Sequence, residues 1–577
     1  MKRYLKYLKG AWLWVLLAPL LMILEVYCDL RQPSIMSNIV DVGIMGGLGW
    51  QYVLNCGIKM VVTALVGLVG GVGSLVFATK ASQYFGYRLR ADIYKKVQEF
   101  SFANVDSFST ASLVTRTTND VVMLQNVLGM ALRMMVRAPM TFLGGLIYAF
   151  MISPKLALIF AFAIPIIIFI IQINIRKTFP LFKSVQDKLD KVNAVIRENL
   201  TGIRVVKAYN RAEHETKRFG EANDDYVDIS IRANKMMALM MPLVMIVMNI
   251  SIVVIFWIGA KLVGAHDMEV GKVSAFVTYA TRILNSLTMM SMMFMSLSRA
   301  QASATRISEV LDEEPDIKNS ADARFDDIKT GRIEFKNVSF RYKGAGGSNV
   351  LKNISFTAEP GQTVAILGST GSGKTTLVNL IPRLYDVTDG EVTVDGTDVR
   401  LFDIETLRRS IGMVQQHVIL FSGTISENLR WGKEDATEDE IKEAAKMAQA
   451  AEFISKNPDG YNAMLGQGGV NFSGGQKQRL SIARALIKKP KILIFDDSTS
   501  AVDTRTEGLI RKALHEELKD TTLILIAQRI SAVRNADKIL VMEHGEIVDS
   551  GTHDSLLASS RVYQEIYYSQ MEKEEEI

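Results

Sequence analysis

Cysteine is nearly absent: the 577-residue chain holds two, Cys28 and Cys56, both in or beside apolar runs. A disulfide framework and a thiolate metal site are thereby set aside, leaving two small apolar fillers. A large excess of charge of one sign is also missing. A net +5 over this length makes no case for nucleic acid. Internal repeats and low-complexity tracts are missing. No cleavable signal peptide is expected, because the first apolar run lacks a small-residue cleavage site and further apolar runs follow it. No protease-like stretch precedes that run, which argues against a peptide-processing role. Long apolar runs are lacking after residue 300, so the two parts of the chain obey different rules.

What is present is apolar and concentrated. Hydrophobic residues are 48% of the chain and mean hydropathy is +0.16, although 22% of residues are charged. The length exceeds one hydrophobic core, so two or more domains are expected. Six stretches before residue 300 are long enough to cross about 30 Å of hydrocarbon as helices. They are Trp12–Leu30, Val53–Ala78, Met134–Ile152, Leu156–Ile175, Leu239–Val263 and Val273–Leu297. Segments 79–133 and 176–238 are long, polar and rich in Lys and Arg, as is the start Met1–Lys9. The positive-inside rule places them in the cytoplasm, with both termini, in a multi-pass plasma-membrane protein.

Glycine and proline are sparse in Tyr84–Phe102 and Lys183–Asn199, so the membrane helices are expected to continue into the cytoplasm. Ala103–Ser112 and Gly202–Arg211 interrupt them. These are either plain helix-turn-helix loops or short helices that transmit force, and the reach of the extensions favours the second. An acidic linker, 311–330, then separates a helical membrane domain, 1–310, from a soluble α/β domain, 331–577. The acidic end Glu572–Glu576 is expected to fray.

Three motifs in the second domain carry chemistry. The strand Thr363–Leu367 runs into Gly368, Ser369, Thr370, Gly371, Ser372, Gly373, Lys374 and Thr375, a complete phosphate-binding loop. Glycines let backbone N–H groups and a helix N-terminus face the anion. Lys374 is expected on the β- and γ-phosphates of ATP and the Thr375 hydroxyl on Mg²⁺, with Thr376 beside them. An apolar strand, Lys491–Phe495, delivers Asp496 and Asp497 to the same place. An Asp there is otherwise a helix cap worth about 1 kcal/mol. Asn471–Arg479 opens a helix with Ser473, Gly474, Gly475 and Gln476.

These residues, in this order, resemble the ATP-binding cassette (ABC) transporters over the whole chain. Six spans ahead of one nucleotide-binding domain are similar to the half-transporters of the exporter class. The resemblance implies that Tyr342 stacks on adenine and that Gln416 senses Mg²⁺. It makes Ser473–Gln476 the signature that completes the partner's ATP site, and Ser500–Asp503 the D-loop. Two chains would then sandwich two ATP molecules. Asp106–Phe108 and Ala208–Arg211 look like the family's coupling helices.

The chain departs from the family pattern at the hydrolysis step. Asp497 stands where the family has a glutamate that polarises the attacking water, and Gln528 where it has a switch histidine. An acid shorter by one methylene places its carboxylate about 1.5 Å back, and a misplacement near 1 Å can cost about 10²-fold in rate. Gln528 donates a hydrogen bond but carries no imidazolium charge. Gly466-Gln467-Gly468 also replaces the family's Gly-Glu-Arg. Both catalytic changes fall in one site while the signature is intact, so a heterodimer is expected, with a slow site here and a competent one on a non-identical partner. The alternative is a homodimer that tolerates both changes.

Cargo is less defined. Met236, Met237, Met240, Met241, Met245 and Met248, then Met289, Met290, Met292, Met293 and Met295, crowd the fifth and sixth spans. They are either a surface that repacks around amphiphiles or generic filler. Glu25 and Arg282 are charges inside spans, which contact substrate or pair structurally. The resemblance implies export of multidrug or lipid-like compounds. Import of metal chelates and a regulatory ATP-binding subunit that transports nothing are the other readings.

Overall fold

The computed structural model describes residues 2–343, 346–498 and 501–575, without the side chains of 2, 291, 292, 294, 295, 298, 504 and 571–575. Ser500, Met292 and Met295 therefore fall outside the described residues or side chains.

The chain forms two compact units: Met1–Gln98 with Thr110–Asp312, and Glu99–Ser109 with Glu313–Ile577. This differs from a boundary at 310 and 331 in two ways. Segment 99–109 groups with the nucleotide unit because Asn104, 1% exposed, donates to Glu313 Oε1 at 2.8 Å and to the Glu314 carbonyl at 3.1 Å. The stretch expected as a linker is packed onto the same unit. Asn319 donates to Asp403 at 2.6 Å, and Asp395 accepts from the backbone of Lys329, Thr330 and Arg332.

In the first unit the long helices are α1 (Trp12–Asn38), α2 (Gly49–Gln98), α4 (Thr110–Thr115) continuing into α5 (Val121–Ile152), α6 (Pro154–Thr201), α8 (Ala212–Ala238), α9 (Met240–Gly264) and α10 (Val270–Asp312). Among the described residues, five helices have the length and apolarity to cross a membrane. The sixth expected span, Val273–Leu297, lies in α10, four of whose side chains within that span are not described. The 50 residues of α2 extend about 75 Å, over twice the hydrocarbon thickness. A glycine pair sets the α1–α2 approach: a Cβ on Gly70 would come within 2.9 Å of the Leu21 carbonyl, and one on Gly71 within 2.9 Å of Glu25 Oε2. Both interruptions are short helices, α3 (Phe102–Phe108) and α7 (Ile203–Ala208).

The second unit is built on a six-stranded sheet. Its order is Glu546–Gly551, Lys538–Glu543, Thr363–Gly368, Thr522–Ile526, Ile492–Asp496, Ile411–Val414. All neighbours run parallel except the edge strand Glu546–Gly551. The central strands are buried apolar runs, as parallel strands covered on both faces require. A second, antiparallel sheet holds Ile333–Phe340 and Leu351–Ala358. The last described helix is Arg561–Glu575, with Tyr563 fully buried near its start; of the acidic end, Glu576 lies outside the described residues and the side chains of 572–575 are not described.

Candidate functional site

Strand register assembles the site. Ile526 pairs with Ile366 on one side and Asp496 on the other. Gly368, Asp497 and Gln528, each one or two residues further along its own strand, therefore leave the sheet at one carboxyl edge. Ligands of open α/β sheets bind at this edge. A cavity of about 330 Å³ opens there, lined by Thr370, Gly371, Gly373, Lys374, Thr375, Thr376, Gln416, Asp496, Asp497 and Gln528 among others.

One half of the cavity is backbone. Gly373, at φ +95°, caps helix α11 (Lys374–Leu380), and Gly371 is at φ +85°. Side chains rarely adopt such angles, which is why the loop carries glycine there. Lys374 Nζ donates to the carbonyls of Gly368 at 2.8 Å and Ser369 at 2.7 Å, and lies 3.5 Å from Ser372 Oγ. Burial lowers the Lys374 pKa from its ordinary value, against the opposing pull of Asp497 and Asp496.

The other half is side chain. Asp496, 3% exposed, accepts a 2.9 Å hydrogen bond from Thr375 Oγ1. Gln416 lines the same cavity. These hard oxygen donors suit Mg²⁺, which takes one or two carboxylates beside substrate phosphates. Burial raises the pKa of both Asp496 and Asp497, and the neighbouring Asp497 charge adds to the effect at Asp496. Asp497 is at φ +47°, a left-handed backbone that Asp tolerates better than most side chains. Its Oδ2 accepts a 2.8 Å hydrogen bond from Gln528 Nε2. The two departures from the family pattern are thus bonded to each other. Motif reading identifies both residues but carries no signal for this bond or for the backbone angle.

Tyr342 lies apart from the phosphate cavity's lining, but its hydroxyl is hydrogen-bonded to Thr376 Oγ1 at 2.9 Å. Ser473, Gly474, Gly475 and Gln476 do not line that cavity either. They form a capping box on the helix Gly474–Leu486: Gln476 N donates to Ser473 Oγ at 3.3 Å, and Gln476 Oε1 accepts from Ser473 N at 2.9 Å. Asp503 accepts from Thr506 N at 2.9 Å, capping the following helix. Gly468, at φ +65°, turns the segment ahead of the signature.

In the first unit Glu25 and Arg282 belong to one ion cluster. Arg137 on α5 reaches Glu25 at 2.7 Å and Asp29 at 3.2 Å, and Arg282 on α10 reaches Asp29 at 3.6 Å. Sequence reading missed Asp29 and Arg137. Their signal was available: Asp29 lies one helical turn beyond Glu25, and Arg137 interrupts an apolar run. Met289 is exposed and Met293 half-buried.

Comparison with known proteins matches one family model to each half of the chain, the first of them running through segment 99–109. The model of the ABC transporter transmembrane region matches residues 15–287, and the ABC transporter model matches 351–500. A Bacillus subtilis (strain 168) protein, the uncharacterized ABC transporter ATP-binding protein YfiB, is 43% identical over 574 residues, 100% of this chain and 99% of its own. A fatty acid ABC transporter ATP-binding/permease protein of Mycobacterium bovis is 37% identical over 476 residues, 82% of this chain and 75% of its own. Among solved structures, a bacterial Atm1-family ABC exporter with ATP bound matches with a TM-score of 0.77 at 25% identity, over 98% of each chain.

Proposed function

The chain belongs to the ABC transporter family and has the fold of an exporter half-transporter, and from that premise we propose that it is the slow half of a heterodimeric ATP-driven exporter. The observation that carries this reading is the 2.8 Å bond from Gln528 to Asp497. The residue at the switch position is committed to the shortened acid, so neither is set to drive water onto a γ-phosphate.

Lys374 and the loop amides hold the phosphates of ATP, and Thr375, Asp496 and Gln416 are the groups that would hold Mg²⁺. When bound there, the metal would supply positive charge that neutralises the phosphates. Asp497, held back by its length, orients water poorly and this ATP persists. Meanwhile Ser473–Gln476 presents a helix N-terminus, a ready anion site, to the ATP on the partner's loop. ATP binding, and hydrolysis at the partner's site, drive alternating access and outward movement of amphiphilic cargo. The relative named for fatty acid supports a lipid-like class. Both termini lie on the cytoplasmic side.

The test separates the chain from its complex. Purified alone, it should hydrolyse ATP far below the roughly 1–10 per second typical of enzymes. Joined to a half-transporter with Glu and His at the two positions, it should reach that range. Glu→Gln in that partner should abolish both turnover and ATP-driven uptake of a fluorescent fatty acid into inverted vesicles, the direction that corresponds to export from the cell. Typical turnover by the isolated chain would sink the proposal, as would export that survives the partner change.

A further inference from the structure

A line of direct contacts joins the phosphate cavity, at Thr376, to α3. It starts at Tyr342, whose hydroxyl bonds Thr376 in the first turn after the phosphate loop. The Tyr342 ring meets that of Tyr385 edge-on, at 90° with centroids 5.3 Å apart. Tyr385 donates a 2.8 Å hydrogen bond to Asp106 Oδ2 on α3, and its ring packs edge-on against Phe102, 6.1 Å away on the same helix. Burial, and then the Asp106 carboxylate, raise the pKa of the Tyr385 hydroxyl, which keeps it the donor.

The two attachments of α3 differ in kind. Asn104 is buried and makes five hydrogen bonds: it donates to Glu313 and Glu314, and its Oδ1 accepts from Asp316 N at 3.3 Å and from Ser101 N and Oγ at 3.1 and 2.6 Å. The Tyr385–Asp106 bond, by contrast, lies at an exposed carboxylate beside a cavity of about 540 Å³ lined by Ala103, Tyr342 and Tyr385. Edge-on aromatic pairs are geometrically selective, so a ring that turns to stack on a base disturbs its neighbour. That cavity adjoins Tyr342 and Tyr385 and reaches α3 at Ala103. In the chain, α3 sits between the end of α2 and the start of α4, so a shift of α3 passes to both by covalent continuity.

We propose that Tyr385 is a positioning residue that reports a base stacked on Tyr342 to α3 through its hydrogen bond to Asp106. The inference rests on adenine stacking at Tyr342 and does not depend on whether the partner chain is identical.

Hydrogen exchange of the α3 amides in the assembled complex tests it. MgATP should slow exchange across Phe102–Phe108 by about fivefold, whereas magnesium tripolyphosphate, which fills the loop without a base, should leave it unchanged. Tyr385→Phe keeps the ring and loses the donor. It should bind ATP within about twofold of the parent yet lose most of the α3 response. Asp106→Asn, whose amide oxygen still accepts, should keep the response, and Asp106→Leu should lose it. The relay is overturned if tripolyphosphate acts as well as ATP, or if Tyr385→Phe responds like the parent. It is likewise overturned if α3 in the parent ignores ATP. A Tyr342→Ala variant that binds ATP as tightly as the parent removes the stacking premise itself, a failure that the α3 measurements do not produce.

Discussion

The two halves of the ATP cavity are made of different material. The phosphate half is backbone: glycines at positive φ, loop amides, a helix N-terminus and one lysine tied to two loop carbonyls. The hydrolysis half is three side chains, Asp496, Asp497 and Gln528, whose function depends on reach. A backbone cradle holds an anion without sub-ångström precision, because several donors share the charge. Water activation has no such tolerance. A chain can therefore change the second half and still bind nucleotide through the first, which is how the proposed function makes a holding site of a hydrolytic one.

Four variants break or sharpen that contrast. The largest effect is expected from Lys374→Ala, which removes charge-assisted contacts to two phosphates. At about 1.5–3 kcal/mol each, their loss should weaken ATP binding at this loop by about 10³-fold, measured by titration calorimetry. An unchanged affinity would mean the backbone alone suffices. Gly475→Asp comes next. A Cβ there would come within 2.8 Å of the Ala501 carbonyl, and the new carboxylate would sit at the anion-binding end of the signature helix. Turnover of the complex should fall about 10²-fold while ATP binding at this chain's own loop stays intact. Loss of both together would place the signature in the wrong site.

The third variant rebuilds the hydrolysis half. Asp497→Glu with Gln528→His restores reach and a chargeable donor, and steady-state turnover should rise about three- to tenfold. Each single change should give less than half of that gain. Asp497→Glu is limited further by its backbone, because φ +47° suits Asp better than Glu. No gain from the pair would mean that the slow site is set elsewhere.

The contrast also explains what was legible in the sequence. The fold class, the phosphate loop on its strand and helix, and the short helices within 103–112 and 202–211 all follow from local pattern: glycine spacing, β-branched runs and gaps in helical periodicity. That Gly368, Asp496 and Gln528 share one edge follows from each ending an apolar strand. Pairings between distant residues were not legible. Gln528 bonds Asp497 across 31 positions, and Arg137 reaches Glu25 across 112. No local rule ties Asn104 to Glu313, so the grouping of 99–109 with the nucleotide unit was missed. The sheet register or helix packing decides each of these.

The smallest effect is expected from Gln528→Ala, and its smallness is informative. The variant removes the donor 2.8 Å from Asp497 and leaves an acid that burial already pushes up. A hydrogen bond of this kind is worth about 1–3 kcal/mol to the charged acid, but the acid still lacks reach. Turnover of the complex should then change by less than about twofold, because the proposed function puts the competent site on the partner. The lifetime of ATP trapped on this chain should fall more than turnover does, read by release of a radiolabelled nucleotide. A tenfold drop in turnover would assign Gln528 to the working site and reverse the division between the two halves.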